Sequence, residues 1–132
     1  VYKRQIQGFE ISIDNSIVDS FRGDGVIIAT PTGSTSYAMS LGSPILYPTM
    51  ESHIIVPMAA YRIGARPLVI PSKYDITVKL TGNSEAVMVL DGQEEILIKI
   101  EDSIKLKKSK SPISIVRFKD NFFDRVRTKL RL

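Results

Sequence analysis

Cysteine is absent from the 132 residues and histidine occurs once, at His53. Without cysteine there is no disulfide framework and no thiolate chemistry, so a reducing, cytoplasmic setting is the expected one. One histidine cannot build a zinc site, and no metal ligands are assigned. No apolar run approaches the roughly 20 residues of a membrane span, and residues 1–5 (Val-Tyr-Lys-Arg-Gln) have no apolar core resembling a signal peptide. A soluble protein with no membrane partner is expected. Several signatures are missing too: a glycine-rich loop ending in Lys-Ser or Lys-Thr, a G-x-G-x-x-G opening a long helix, a G-x-S-x-G elbow and an H-E-x-x-H helix. The standard nucleotide-binding and hydrolase motifs are therefore excluded. The chain also begins without methionine, at what reads as the middle of an element, which suggests a piece of something longer.

What is present fits one globular domain with a real core: 43% of residues are hydrophobic and 24% charged. Charge is uneven. Residues 99–132 carry 11 Lys and Arg against 4 Asp and Glu, net +7, whereas residues 1–98 are net −3. Such a basic stretch suits nucleic acid, an anionic membrane or a polyphosphate. A solvated face whose lysines guard a sheet edge is the favoured alternative, because no aromatic residues interleave with Lys105, Lys107, Lys108 and Lys110. No nucleic-acid partner is expected.

Periodicity points to strands. Phe9, Ile11 and Ile13 alternate with polar residues, and Asp14-Asn15-Ser16 supplies turn chemistry before Ile17-Val18, giving a hairpin. Val26, Ile27, Ile28 and Ala29 do not alternate, which predicts a central strand buried on both faces. Residues 44–48 and 53–57 are apolar pieces bracketed by prolines and read as irregular, edge or bulged segments. Ile76, Val78 and Leu80 alternate again. Asp91-Gly92 lies between two apolar runs, the strongest short-range hairpin signal, with Gln93-Glu94-Glu95 available to lengthen the loop. Residues 103–106 and 113–118 complete roughly ten strands. The expected fold is mostly β and sandwich-like, with two helices. One is a helix of about two turns after the 30–37 turn, capped by Ser34 or Thr35 and stopped by Gly42 and Pro44. The other is a tail helix within residues 119–132, with Phe122, Phe123, Val126 and Leu130 on one face and Asp120 or Asn121 as cap. Its apolar face needs a partner, either the sheet or a domain outside this chain.

The most informative stretch runs from Arg22 to Gly42: R-G-D-G, an apolar run, the hydroxyl-rich T-P-T-G-S-T-S-Y, and a short helix. A strand feeding a helix through such a turn directs free N–H groups and hydroxyls toward an anionic or polyhydroxylated ligand. Hydroxyl-rich turns also serve as ordinary caps. Asp24 and Asp91, each beside glycine, are the candidate acids, and both also have plain readings as turn residues.

The run R-G-D-G-V-I-I-A-T-P-T-G-S-T-S-Y-A-M-S-L-G-S-P-I-L-Y-P over residues 22–48 resembles the signature of the NAD kinases in their C-terminal, mostly β domain. A-R-P-L-V-I-P at residues 65–71, L-D-G-Q at 90–93 and N-F-F-D-R-V-R-T-K-L at 121–130 match in the same order. The resemblance spans nearly the whole chain. It implies that residues 1–132 are the C-terminal NAD-binding and oligomerisation domain of an enzyme that phosphorylates the adenosine ribose 2′-hydroxyl of NAD to give NADP. The donor would be ATP or polyphosphate, with a divalent cation such as Mg2+. It implies a homodimer or homotetramer, with the tail helix free to pack on the N-terminal domain. The family's catalytic G-G-D-G-T and Asn-Glu elements are absent here, because Gly23-Asp24-Gly25 matches the second, R-G-D-G motif. No catalytic residue is therefore assigned to this chain, and alone it is expected to be inactive.

By the same resemblance Thr35, Ser36, Tyr37 and Ser40 match positions lining the adenosine pocket, and Thr32 a loop position near it. Asp24 matches an acid that reaches the dinucleotide, often across a subunit boundary. Asp91 and Gly92 match a loop near the nicotinamide end. Ser36 stands where many members carry alanine. Tyr37 beside hydroxyls offers what adenine needs, a flat wall with polar edges. Two alternatives are kept: a lipid-kinase β domain of the diacylglycerol or sphingosine type, and a non-catalytic dinucleotide-binding or assembly module.

Overall fold

The structure is a computed structural model that describes residues 6–62, 64–114 and 121–129. Among the described residues nine strands fall in three antiparallel sheets. β1 (Gln7–Ile13), β2 (Ser16–Gly23), β6 (Ile76–Leu80) and β9 (Ser103–Leu106) form the first, in the order β2-β1-β6-β9. β3 (Gly25–Ala29), β4 (Ser52–Met58) and β5 (Leu68–Pro71) form the second, and β7 (Ala86–Leu90) with β8 (Glu94–Ile98) the third. The helices are α1 (Tyr37–Ser40) and α2 (Phe122–Lys129). The strand expected over 113–118 lies, from residue 115, outside the described residues.

The turns follow their sequence chemistry. Asp14 and Asn15 adopt φ of 46° and 69° and let Ile13 pair directly with Ser16, the backbone twist a two-residue hairpin requires. Asp91 also takes a positive φ, 51°, and Gln93 extends that loop by one residue, since Leu90 pairs with Glu94. Between Ile11 and Ser12 the register shifts, leaving Val18 as the extra residue of a bulge on β2.

The second sheet is covered on both faces, and this organises the fold. Ile55 of β4 and Ile70 of β5 join Phe9, Ile11, Phe21, Ile76, Val78, Leu80 and Ile98 in the larger core, with Val26 and Ile28 packed against it. Ile54 and Val56, on the opposite face of β4, join Ala38 and Leu46 in a smaller core bordered by Ile27, Ala29 and Leu41. The pairings Ile27↔Val56, Ile28↔Ile55 and Ala29↔Ile54 keep these faces distinct.

Two expectations change here. β3 touches a core on each side, which explains its lack of alternation, yet it is an edge strand of its sheet and only half-buried. Conversely residues 53–57 belong to the central strand β4. β5 pairs with Ser52 through Ile55 only, so at Pro57 β4 has a strand partner on one side, where a missing N–H is tolerated.

Helix α2 carries no fully buried residue. Its partner is Tyr47: the Phe122 and Phe123 rings lie 5.2 and 5.4 Å from the Tyr47 ring, centroid to centroid. Asn121 caps the helix, its Oδ1 accepting from the Phe123 N–H at 2.8 Å.

Within β4 sits His53, whose buried Nδ1 meets no hydrogen-bond partner among the described residues. Burial first, and then the positive charge of Lys108, hold the imidazole pKa below its ordinary value. The unfolded chain therefore binds this proton at a higher pH, near about 6.5, than the folded chain does. Stability is expected to fall as pH drops through 6.5 toward the folded value. Glu51, hydrogen-bonded by Lys108 at 2.8 Å, is held below its ordinary value and titrates in a more acid window. His53→Gln should flatten the dependence of the urea midpoint between pH 7.5 and 5.5; an unchanged slope would refute this assignment.

Candidate functional site

The hydroxyl-rich turn begins where β3 ends and lies on the outer face of the second sheet, over the smaller core. Its own groups fix its shape. The Ser34 N–H donates to the Thr30 carbonyl at 2.9 Å, and the Gly33 N–H to Thr30 Oγ1 at 3.2 Å. The Thr35 hydroxyl donates to the Thr32 carbonyl at 3.1 Å. Ser34, completely buried, donates its hydroxyl to the Pro31 carbonyl at 2.6 Å and accepts the Leu46 N–H at 3.1 Å. That one side chain ties the turn to the segment that returns beneath it.

The result is a 3-10 turn over Gly33–Thr35 followed by α1, a single helical turn. The residue before α1 is Ser36, with φ −98° and ψ −132°, and neither Ser34 nor Thr35 acts as a side-chain cap of α1. The expected two-turn capped helix is thus split, because the Ser34 and Thr35 hydroxyls bond backward into the turn. Its far end behaves as expected. Gly42 takes φ 80°, its N–H donates to the Met39 carbonyl at 3.0 Å, and the Ser43 N–H reaches the Ala38 carbonyl at 3.3 Å, a Schellman stop that needs the left-handed conformation glycine adopts freely.

With those hydroxyls occupied, the surface of the turn is made by Thr32, Ser36, Tyr37 and Ser40, all exposed, with Thr35 half-buried between them. Tyr37 is 58% exposed over the buried Ala38. A flat aromatic ring ringed by small hydroxyls can stack a heteroaromatic base and bond its polar edges.

Asp24 sits elsewhere. It links β2 to β3, its N–H donating to the Met58 carbonyl at 2.9 Å, at the opposite end of β3 from Thr30. Six residues of extended chain set the two ends about 20 Å apart. Asp91 and Gly92 occupy the tip of the β7–β8 hairpin. So five of the candidates named from the sequence share one surface, and Asp24 and the Asp91-Gly92 turn belong to two others.

Cavities among the described residues lie away from the turn. One of about 600 Å3 is lined by Ile6, Gly8, Arg22 and residues 81–84, and one of about 270 Å3 by Asp14, Asn15, Asp75, Thr77 and Lys105. Arg22 was not among the candidate site residues, and its place in the R-G-D-G run beside Asp24 was the only sequence signal for it. Lys105, which lines the smaller cavity, and Lys107 just past β9 each lie 3.6 Å from Asp75, so these basic residues are paired at that sheet edge. Among the described residues no three of His, Cys, Asp and Glu come together as metal ligands, and no helix is long and apolar enough to cross a membrane.

Residues 2–118 match the family profile described as the ATP-NAD kinase C-terminal domain. NAD kinase from Methanosarcina barkeri is 47% identical over 124 residues, covering 92% of this chain and 45% of that protein. NAD kinase from Methanothermobacter thermautotrophicus is 44% identical over 122 residues, covering 92% and 43%. Among solved structures, an NAD kinase from Archaeoglobus fulgidus in complex with ATP superposes with a TM-score of 0.74 at 33% identity, over 83% of this chain and 42% of the other. Yeast NADH kinase complexed with NADH superposes with a TM-score of 0.84 over 96% of this chain and 40% of the other; at 22% identity it speaks for the fold alone. The chain spans less than half the length of these relatives.

Proposed function

The chain belongs to the ATP-NAD kinase family, matching its C-terminal domain, and on that premise we propose that it is the dinucleotide-binding and assembly domain of a kinase that phosphorylates NAD to NADP. The observation that carries this reading is the surface of Thr32, Thr35, Ser36, Tyr37 and Ser40, held over its own small core by Ser34 and presenting an aromatic wall with hydroxyl edges. That surface takes the adenosine portion of NAD. Asp24 serves the dinucleotide from a second site, and its separation of about 20 Å along β3 is what an acid reaching into a neighbouring subunit's ligand would have. Asp91 and Gly92 are assigned to the nicotinamide end.

A ribose hydroxyl is a weak nucleophile, so the reaction needs it aligned with the γ-phosphorus, a base within proton-transfer reach, and phosphate charge screened. Residues 1–132 supply the alignment. They contain R-G-D-G but no G-G-D-G-T. The catalytic acid, the donor (ATP or polyphosphate) and a divalent cation such as Mg2+ are therefore assigned to other parts of the working enzyme. Assembly as a homodimer or homotetramer is supported by the outward face of the β7–β8 hairpin, where Val87, Val89 and Leu97 are exposed side by side.

Titration calorimetry of NAD into the complete natural protein and its Tyr37→Ala variant tests the reading. Loss of a stacking ring should weaken binding about tenfold, while residues 1–132 alone should form no NADP. Unchanged affinity would remove the pocket assignment, and NADP made by the isolated chain would remove the division of labour.

A further inference from the structure

Between α1 and β4 the chain returns beneath the hydroxyl-rich turn, and residues 46–51 of that return are held from two sides. From inside, the Leu46 N–H donates to the buried Ser34 hydroxyl at 3.1 Å, and the Leu46 side chain enters the smaller core. From outside, the C-terminal part of the chain grips both ends of a short turn, which the Met50 N–H closes on the Tyr47 carbonyl at 3.0 Å. Lys108, two residues past β9, forms an ion pair with Glu51 at 2.8 Å. Helix α2 takes the other end: the Tyr47 ring meets Phe122 edge-on at 5.2 Å and Phe123 at 5.4 Å with a tilt of 35°.

This aromatic clasp lies outside the cores. Tyr47 is 40% exposed and Phe123 64%, and none of the three rings belongs to either buried cluster. Opening it would leave both cores covered. What the clasp does hold is the segment carrying Leu46, and through Leu46 the Ser34 hydroxyl, which in turn donates to the Pro31 carbonyl at 2.6 Å. A continuous path of covalent neighbours and hydrogen bonds thus runs from α2 through Tyr47, Leu46 and Ser34 into the loop whose outer surface is Thr32, Ser36 and Tyr37.

We propose that Tyr47 is a positioning residue for the dinucleotide site: by clasping the Tyr47 ring, α2 keeps Leu46 against Ser34 and so sets the T-P-T-G-S-T-S-Y turn for its ligand. This rests on the dinucleotide reading above and adds to it a residue that touches no ligand, together with a role for the tail helix. Binding couplings are reciprocal, so a ligand that favours the set turn also favours the docked helix. The effect is bounded by what the clasp itself is worth, about threefold to tenfold in an equilibrium constant for an aromatic pair.

The test uses the complete natural protein with NAD as the probe. Calorimetry compares Tyr47→Ala, a variant carrying both Phe122→Ala and Phe123→Ala, the combination of all three, Tyr47→Phe and Tyr37→Ala. Tyr47→Ala and the Phe122/Phe123 variant are each expected to weaken NAD binding about three- to tenfold, and the combination no further, because both open the same clasp. Tyr47→Phe keeps the ring and should stay within about twofold of the parent. In the unsubstituted protein NAD should slow amide hydrogen exchange along α2 and at Leu46, a readout that no variant's folding disturbs and that a merely structural contact would not give. Wild-type affinity in Tyr47→Ala, or in the Phe122/Phe123 variant, would overturn the inference, as would α2 exchange indifferent to NAD. A weakened Tyr37→Ala would in those cases leave the dinucleotide reading intact. Unchanged affinity in Tyr37→Ala and Tyr47→Ala alike would overturn both.

Discussion

Ile54→Ala should lower the free energy of unfolding by about 3–5 kcal/mol, the upper part of the range for truncating a fully buried isoleucine. Ile54 has no exposed surface, and it sits in the smaller core with Ala38, Leu46 and Val56, a cluster with few other large side chains to close over the space. Against a typical total of about 5–15 kcal/mol this is a large fraction. With a urea m-value of about 2 kcal/mol/M, the midpoint should move down by roughly 1.5–2.5 M. The loss has a functional side, because the same core supports α1 and the Ser34-braced turn. NAD affinity of the complete protein should fall as well, at temperatures where the variant is still folded. A midpoint within about 0.3 M of the parent would show that the second sheet does not depend on its outer core.

Gly23→Ala is expected to be nearly as damaging, for a different reason. A Cβ at residue 23 would stand 2.7 Å from the Met58 carbonyl oxygen and 3.1 Å from both the Ala59 oxygen and the Ala60 Cα. All are backbone atoms, so no rotamer change relieves the overlap. The 58–61 segment would have to lift away, and with it the bonds from Asp24 to Met58 and from Tyr61 to Arg22. Overpacking of this kind costs about 1–3 kcal/mol, and two strained backbone hydrogen bonds add to it. Faster amide exchange at Asp24 and Tyr61, with the Ser34 amide unaffected, is the expected signature. Uniform exchange at all three would contradict a local clamp.

Much of this fold was legible in the chain because the relevant signals are local. Asp14-Asn15, Asp91-Gly92 and Gly42 each mark a backbone conformation that few residues adopt cheaply, and each turns where its chemistry indicates. The alternating strands β1 and β6 bury Phe9, Ile11, Ile76, Val78 and Leu80 as their period requires. What misled was information that resides between segments. An apolar run without alternation records only that both faces of β3 touch something; it cannot tell a central strand from an edge strand lying between two cores. Pro57 argued against a central strand, but the short β5 leaves that position without a second partner. Ser34 and Thr35 looked like caps because the same hydroxyls that can cap forward can bond backward, and the choice depends on Leu46, twelve residues away. Of the candidate site, the residues adjacent in sequence came out adjacent in space.

The two faces of β3 also limit how this domain can change length over evolution. Side chains alternate, so gaining or losing one residue between Gly25 and Ala29 would turn the strand residues on one side of the change toward the wrong core, Val26 or Ile28 to the small one or Ile27 to the large one. A change of two residues would restore the faces, but it would displace Asp24 by about 7 Å relative to the turn at Thr30. Neither is a small step. The segment therefore behaves as a ruler whose markings come in units the ligand cannot follow, and insertions accumulating elsewhere in the chain should pass it by.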